Sequence, residues 1–189
     1  MERLTPDAAT RIAAFEELIR RENDRLGLVS PAGLTDLHER LLAPCLVLAE
    51  LPVLQTARRV VDLGSGNGLP GIPVAILCPG TSILLVDSQL KRCRFLEEVV
   101  ATLALSHVRV RHDRVEKIRN EAAPDVFISR FFKDLRTMAA WTRRWRQPGT
   151  RYLMFAGETQ ESPVVQYDLH FVARHALGAG KVALEYQAR

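Results

Sequence analysis

The chain is poor in the features that mark secreted, membrane and metal-stapled proteins. It has three cysteines in 189 residues, Cys45, Cys78 and Cys93. They lie far apart without Cys-x-x-Cys spacing, so neither a disulfide framework nor a zinc site is indicated. Reduced, cytosolic thiols are the simplest reading. No run approaches the roughly 20 apolar residues that a membrane span needs. The opening Met1-Glu2-Arg3-Leu4-Thr5-Pro6-Asp7 does not lead a basic start into an apolar core, so no secretory leader is expected. Internal repeats and low-complexity segments are lacking too. What remains is a globular composition, 47% apolar, in a length that fits one domain or one domain with a helical extension. A net charge of +4 is compatible with a nucleic-acid partner and equally with an ordinary solvated surface.

Residues 7–26 read as an amphipathic helix. Ile12, Phe15, Leu18, Ile19 and Leu26 recur at three- and four-residue spacing, and Gly27 suits its end. Pro31 and Gly33 mark a turn. Leu34 to Leu51 reads as a second helix, which Pro44 should kink or split. Strand-like runs follow at 60–63, 82–87, 107–111, 125–129 and 152–155. Helical patterns lie between them at 70–77, 89–105 and 134–145. The 89–105 pattern puts Leu90, Cys93, Leu96, Val99, Val100 and Leu103 on one face. This alternation predicts an α/β fold, a Rossmann-like doubly wound and mostly parallel sheet. Two last β-like runs, 169–173 and 182–186, flank Gly178-Ala179-Gly180 and predict an antiparallel hairpin at the sheet edge. The expected organisation is a helical N-terminal extension over 1–55 and a Rossmann-like domain over 56–189.

The stretch that organises the chain is Val60-Val61-Asp62-Leu63-Gly64-Ser65-Gly66-Asn67-Gly68-Leu69-Pro70-Gly71. It runs from an apolar strand through a glycine-dense turn into a helix, and glycines there let backbone N–H groups approach a ligand. Gly66-x-Gly68-x-x-Gly71, with Asp87 following, matches the dinucleotide fingerprint, so NAD must be considered. Asp62 argues against it. An acid before the turn would repel a pyrophosphate, but suits the ammonium of a methionine moiety. Asp87 can accept from both ribose hydroxyls of either cofactor and does not discriminate. The alternative for Asp62 is a cap on the turn.

Further runs join this one: Gly68-Leu69-Pro70-Gly71-Ile72-Pro73, then Asp87-Ser88-x-x-Lys91-Arg92-x-x-Phe95-Leu96, then Arg114-Val115-Glu116 and Ser129-Arg130. Together they resemble the bacterial 16S rRNA guanine-N7 methyltransferases, the RsmG/GidB family, over about residues 58–157. The resemblance implies a class I methyltransferase fold, S-adenosyl-L-methionine as cofactor, and a guanine of 16S rRNA, in RNA or in the 30S subunit, as acceptor. It further implies that Asp62, Gly64, Gly66 and Gly68 hold the methionine and ribose side and that Asp87 holds the ribose. Val115 and Glu116 would lie at the adenine, and Arg130 would face the donor or the RNA as the catalytic candidate. For Arg130 the alternative is a surface ion pair. A cytoplasmic monomer without metal is expected.

The chain departs from that family pattern in its flanks. Gly27-Leu28-Val29-Ser30 lacks the family's leading Asn. Arg40-Leu41-Leu42-Ala43-Pro44-Cys45 keeps the Arg of Arg-His-x-x-Asp-Ser and loses the rest. Ala156 stands where a Lys is found. Alkylation at guanine N7 uses a lone pair already present, so alignment suffices and no general base need be sought. A methyltransferase with a different, small acceptor and a non-catalytic S-adenosylmethionine- or RNA-binding paralogue are the other readings. Candidate RNA contacts are Lys91, Arg92, Arg94, Arg111, Arg114, Arg130, Lys133 and Arg136. A second cluster is Arg143, Arg144 and Arg146 beside Trp141 and Trp145. Solvated helix faces are the alternative for each. Phe131 and Phe132 can stack on a base or pack in the core.

Overall fold

The computed structural model describes residues 4–119, 121–130, 134–159, 165–166 and 168–189. Its centre is built from the apolar runs β1 (Arg59–Leu63), β2 (Ser82–Asp87), β3 (Val108–His112), β4 (Val126–Ser129) and β5 (Arg151–Gly157). These pair in parallel in the order β3-β2-β1-β4-β5. Val60, Val61, Leu63, Phe127 and Ile128 are all fully buried. Helices cover both faces, which is why the central strands are apolar without alternation. The sheet then continues antiparallel through β6 (Val165–Gln166), β7 (Leu169–Gly178) and β8 (Lys181–Ala188), in the order β5-β8-β7-β6. The expected C-terminal hairpin is therefore present and adds to the β5 edge.

The first helix, α1 (Pro6–Leu26), starts where Ala8 N–H donates to Thr5 Oγ1 at 3.2 Å and ends at Gly27, whose φ of 56° is left-handed. The helix expected over 34–51, kinked or split at Pro44, is interrupted there: a wide π turn (Leu37–Leu42) precedes α3 (Ala43–Ala49), and a short α2 (Pro31–Thr35) stands where a turn was expected. Proline lacks an N–H and its ring crowds the carbonyl four residues back. The chain meets this by widening before Pro44, where Ala43 N–H donates to His38 O, and the helix resumes with Pro44 in its first turn. A short α4 (Pro52–Gln55) leads into β1.

The remaining helices are α5 (Gly71–Leu77), α6 (Leu90–Thr102) and α7 (Leu135–Thr142). Leu90 departs from the buried face assigned to it and is 48% exposed, because it opens α6 just past the end of β2. The helix expected to run on to Trp145 stops at Thr142. Trp145 then folds back, buried, and its Nε1–H donates to Ala122 O at 3.0 Å. Phe15 of α1, Leu48 of α3, Ile72 of α5 and Val60 of β1 belong to one apolar core, so the N-terminal helices and the sheet share it. A second core, with Phe127, Trp145, Tyr152 and Tyr186, lies on the opposite face. Among the described residues no helix is long and apolar enough to cross a membrane.

Candidate active site

The turn after β1 is tied down by backbone bonds. Gly64 N–H and Ser65 N–H both donate to Val86 O, at 2.9 and 3.0 Å. Gly66 N–H donates to Asp87 Oδ2 at 2.9 Å, and Gly68 N–H donates to Ser65 O at 2.7 Å. Gly64, Gly66 and Gly68 have φ of 72°, 53° and 89°, the left-handed region that a side chain disfavours. At Gly68 an added Cβ would also sit 2.9 Å from Ile72 Cγ1. Gly68 thus shapes the turn from within, while Gly64 and Gly66 line the open side.

Two hollows that share Gly64, Asp87 and Gln89 in their walls lie at the C-terminal ends of β1, β2 and β3. One, of about 310 Å³, is lined by Gly64, Asp87, Gln89, Asp113, Val115, Glu116 and Trp141, among others. The other, of about 240 Å³, is lined by Leu28, Gly64 to Asn67, Leu69, Asp87, Gln89, Arg92 and Arg130. Asp87 stands where they meet. Its Oδ2 accepts Gly66 N–H, and its Oδ1 accepts Gln89 N–H at 2.8 Å. A carboxylate oxygen has more than one acceptor site, so each can take a further donor without losing the backbone bond.

Asp62 lies under the turn and is fully buried. Its Oδ2 accepts Gly71 N–H, at the first turn of α5, at 3.0 Å. Its Oδ1 is buried with no hydrogen-bond partner. Burial pushes this carboxyl up to about 7, against the opposing pull of Gly71 N–H and the Arg130 guanidinium. Burial lowers the Arg130 pKa, and nearby Cys45 and Asp62 act the other way. The Cys45 thiol is pushed up to about 12 by burial and donates to Leu41 O at 3.0 Å. Cys45, at the family's Ser position, therefore lies close to the Asp62–Arg130 pair. Pro44 beside it is buried, as is Ala156 at the family's Lys position.

The structure thus brings Gly64, Gly66, Asp87, Val115, Glu116 and Arg130 to one cleft, with Asp62 and Gly68 directly beneath. Phe131, Phe132 and Lys133 lie outside the described residues. Asn67, Gln89, Asp113 and Trp141 also line the cleft, and the motif reading did not single them out for it. Asn67 was visible as the one long side chain inside the glycine turn. Trp141 had no local signal, because only the packing of α7 on the sheet brings it there.

The basic residues sort by structure. Arg111 is held by Asp113 at 2.9 Å and Glu121 at 2.8 Å, and the first of these pairings keeps the Asp113 carboxyl below its ordinary range. Arg146 pairs with Asp168 at 3.5 Å. Trp145 is core, so the second cluster is not a continuous basic-aromatic face. Lys91 and Arg94 are exposed on α6, and Arg114, also exposed, lines the larger of the two hollows and lies 3.7 Å from Glu116.

A strand order of β3-β2-β1-β4-β5 with an antiparallel strand beyond it, and a glycine turn and an acid at the ends of β1 and β2, define the class I methyltransferase fold. Solved structures agree. A putative O-methyltransferase from Klebsiella pneumoniae superposes with a TM-score of 0.66 at 15% identity, over 100% of this chain and 91% of that one. A mutant of MtNAS in complex with S-adenosylmethionine gives 0.64 at 14% identity, over 95% and 75%.

Sequence comparison is more specific. The family described as rRNA small subunit methyltransferase G (GidB) matches residues 9–177, and the chain belongs to that family. The ribosomal RNA small subunit methyltransferase G of Pseudomonas aeruginosa is 33% identical over 176 residues, which is 92% of this chain and 81% of the relative. The protein of the same name from Mycolicibacterium gilvum is 30% identical over 95% of this chain and 82% of its own length.

Proposed function

We propose that the protein is an S-adenosylmethionine-dependent methyltransferase that alkylates N7 of a guanine in 16S rRNA. The observation that carries this reading is the pair of adjoining hollows, one lined by Arg130 and the other by Glu116, that share Asp87, in a chain of this family. The unpartnered Oδ1 of Asp62 fits a ligand ammonium, and the Asp87 oxygens fit a pair of ribose hydroxyls. Val115, Glu116 and Trp141 fit a flat, hydrogen-bonding base. These residues bind and orient. S-adenosylmethionine, when bound, supplies a methyl group activated by its sulfonium.

The acceptor nitrogen brings its own lone pair, so no side chain has to remove a proton before attack. The contribution of the chain is alignment and exclusion of water. Arg92 and Arg130 are the arginines that line the hollow beside the glycine turn, where Arg130 is taken to face the donor or the RNA. The exposed Lys91, Arg94 and Arg114 at the rim are assigned to RNA phosphates, which give affinity without reading sequence.

The deciding experiment incubates the protein with labelled donor and unmodified 30S subunits, naked 16S rRNA or a small-molecule extract. Label at guanine N7 of rRNA is expected. Label confined to a small molecule, or no label at all, overturns the acceptor assignment.

A further inference from the structure

The two hollows at the strand ends differ in charge. The larger has Asp87, Asp113, Arg114 and Glu116 in its wall. The smaller has Asp87 with Arg92 and Arg130, and it adds the apolar Leu28 and Leu69. The acidic wall suits the adenosine end of a donor. The leucines and arginines suit a base of a polyanionic RNA, with apolar surface for its face and N–H groups for its edge. The apolar wall is fixed in place. Asn23 Oδ1 accepts Val29 N–H at 2.8 Å, and Asn67 Nδ2–H donates to Leu28 O at 3.3 Å. The Leu28 segment is thus pinned both from α1 and from the glycine turn.

The two arginines of the smaller hollow are not equivalent. Arg130 Nη2 donates to Asn67 Oδ1 at 3.2 Å, and Arg130 lies in the field of Asp62. Arg92, in the first turn of α6, donates from Nη2 to Gly27 O at 2.7 Å. Its Nη1 is buried and has no hydrogen-bond partner. Burial lowers the Arg92 pKa, against the opposing pull of Asp87, so this guanidinium is desolvated without being fully bonded. A buried charged donor left in that state costs stability that an incoming acceptor restores.

Guanine presents two acceptors, O6 and N7, on one edge, and an arginine commonly takes both. In a reaction at N7 that would occupy the lone pair that attacks the methyl group. Here Gly27 O already holds Nη2, so Nη1 alone is left to donate. We propose that Arg92 Nη1–H donates to O6 of the acceptor guanine, whose ring lies against Leu28 and Leu69. A single bond to O6 selects guanine and leaves N7 free. Adenine would set its N6 amino group, a donor, against the guanidinium. Arg92 is then a specificity residue that touches the substrate, and the Gly27 carbonyl decides which of its nitrogens is presented. The inference rests on the guanine-N7 reading above and adds the group that recognises the base.

The test uses 30S subunits reconstituted on 16S rRNA whose labelled position carries guanine, inosine or 2-aminopurine. Inosine keeps O6 and loses the 2-amino group, whereas 2-aminopurine keeps N7 and loses O6. The wild type should methylate inosine within a few-fold of guanine. It should methylate 2-aminopurine with a kcat/KM about 10- to 100-fold lower, the range for one hydrogen bond from a charged group. Arg92→Ala should lose a similar factor on guanine and nothing further on 2-aminopurine, because the partner is already gone. Its S-adenosylmethionine affinity, read by calorimetry, should match the wild type and so report a folded chain. If it does not, Arg92→Gln is read in its place. A wild type that accepts 2-aminopurine as readily as guanine overturns the assignment. So do two losses that multiply, which would place the O6 contact on another residue. A variant that keeps the discrimination, with only a raised KM and a salt slope lower by about one, marks a phosphate contact and overturns it too. A wild type that labels no rRNA guanine sinks the guanine-N7 reading itself and this assignment with it, which is a different result from any of these.

Discussion

Two carboxylates are buried in this one sheet, Asp62 at the end of β1 and Glu185 in the C-terminal hairpin, and they are satisfied differently. Glu185 is 5% exposed and both its oxygens are paired, with Arg151 Nη1 at 2.6 Å and His175 Nε2 at 2.6 Å. It ties β5, β7 and β8 together. Asp62 has one oxygen on Gly71 N–H and the other on nothing. A buried acid left half-satisfied costs stability that a saturated one does not. The difference separates a group that holds the fold from one prepared for something the fold lacks.

The strongest way to break that contrast is to remove each acid in turn. Asp62→Ala should weaken S-adenosylmethionine binding by a hundredfold or more, read by calorimetry, with little loss of thermal stability. Glu185→Ala should do the reverse. It leaves Arg151 and His175 facing an empty site and should cost about 2–4 kcal/mol in denaturant unfolding, with ligand affinity within a factor of two. If Asp62→Ala binds normally, the ammonium assignment is wrong.

pH sharpens the comparison further. The folded pKa of Asp62, about 7, lies above its unfolded value. The folded state therefore holds a proton that the unfolded state has released between about pH 4 and 7. Stability of the ligand-free protein from this group is full at pH 4, falls as pH rises toward 7, and is flat above that. Asp62→Asn should remove that fall and stabilise the free protein at pH 8 by roughly 2–4 kcal/mol. Ammonium binding needs the ionised form, so donor affinity should drop toward tenfold per pH unit below about 7. Denaturant melts and calorimetry across pH 5–8 check both slopes. A stability that rises with pH over this range would contradict the placement of the carboxyl.

Smaller effects are expected at the rim. Lys91→Ala and Arg94→Ala should each weaken RNA binding a few-fold and lower the salt slope by about one. Arg143→Ala and Arg144→Ala, exposed just past the end of α7 and outside the lining of either hollow, should leave both unchanged. Equal effects at the two places would mean that the RNA lies across more of the surface than the cleft rim.

Much of this was legible along the chain. The parallel core strands and the C-terminal hairpin follow from apolar runs, glycine punctuation and period. The donor turn follows from Asp62, four glycines and Asp87 at strand ends. Errors gathered where a local pattern met a neighbour it could not know. Pro31 and Gly33 were read as a turn and lie in the short α2, while Pro44 does interrupt the next helix, through a π turn. Leu90 fits the helical stripe but overhangs the sheet. Trp145 looked like part of a basic-aromatic face and is core.

The sequence by itself determined the order of the strands and the family, and it singled out the residues proposed for the donor side, because these depend on short-range periodicity and contiguous motifs. Only the tertiary structure decided which arginines are locked in ion pairs, that Trp141 and Asp113 reach the cleft, and that Asn67 joins the glycine turn to both Leu28 and Arg130. It also separated Asp62 from Glu185. Both are single acids in apolar strands, and whether such an acid is saturated depends on which side chains distant segments bring to it.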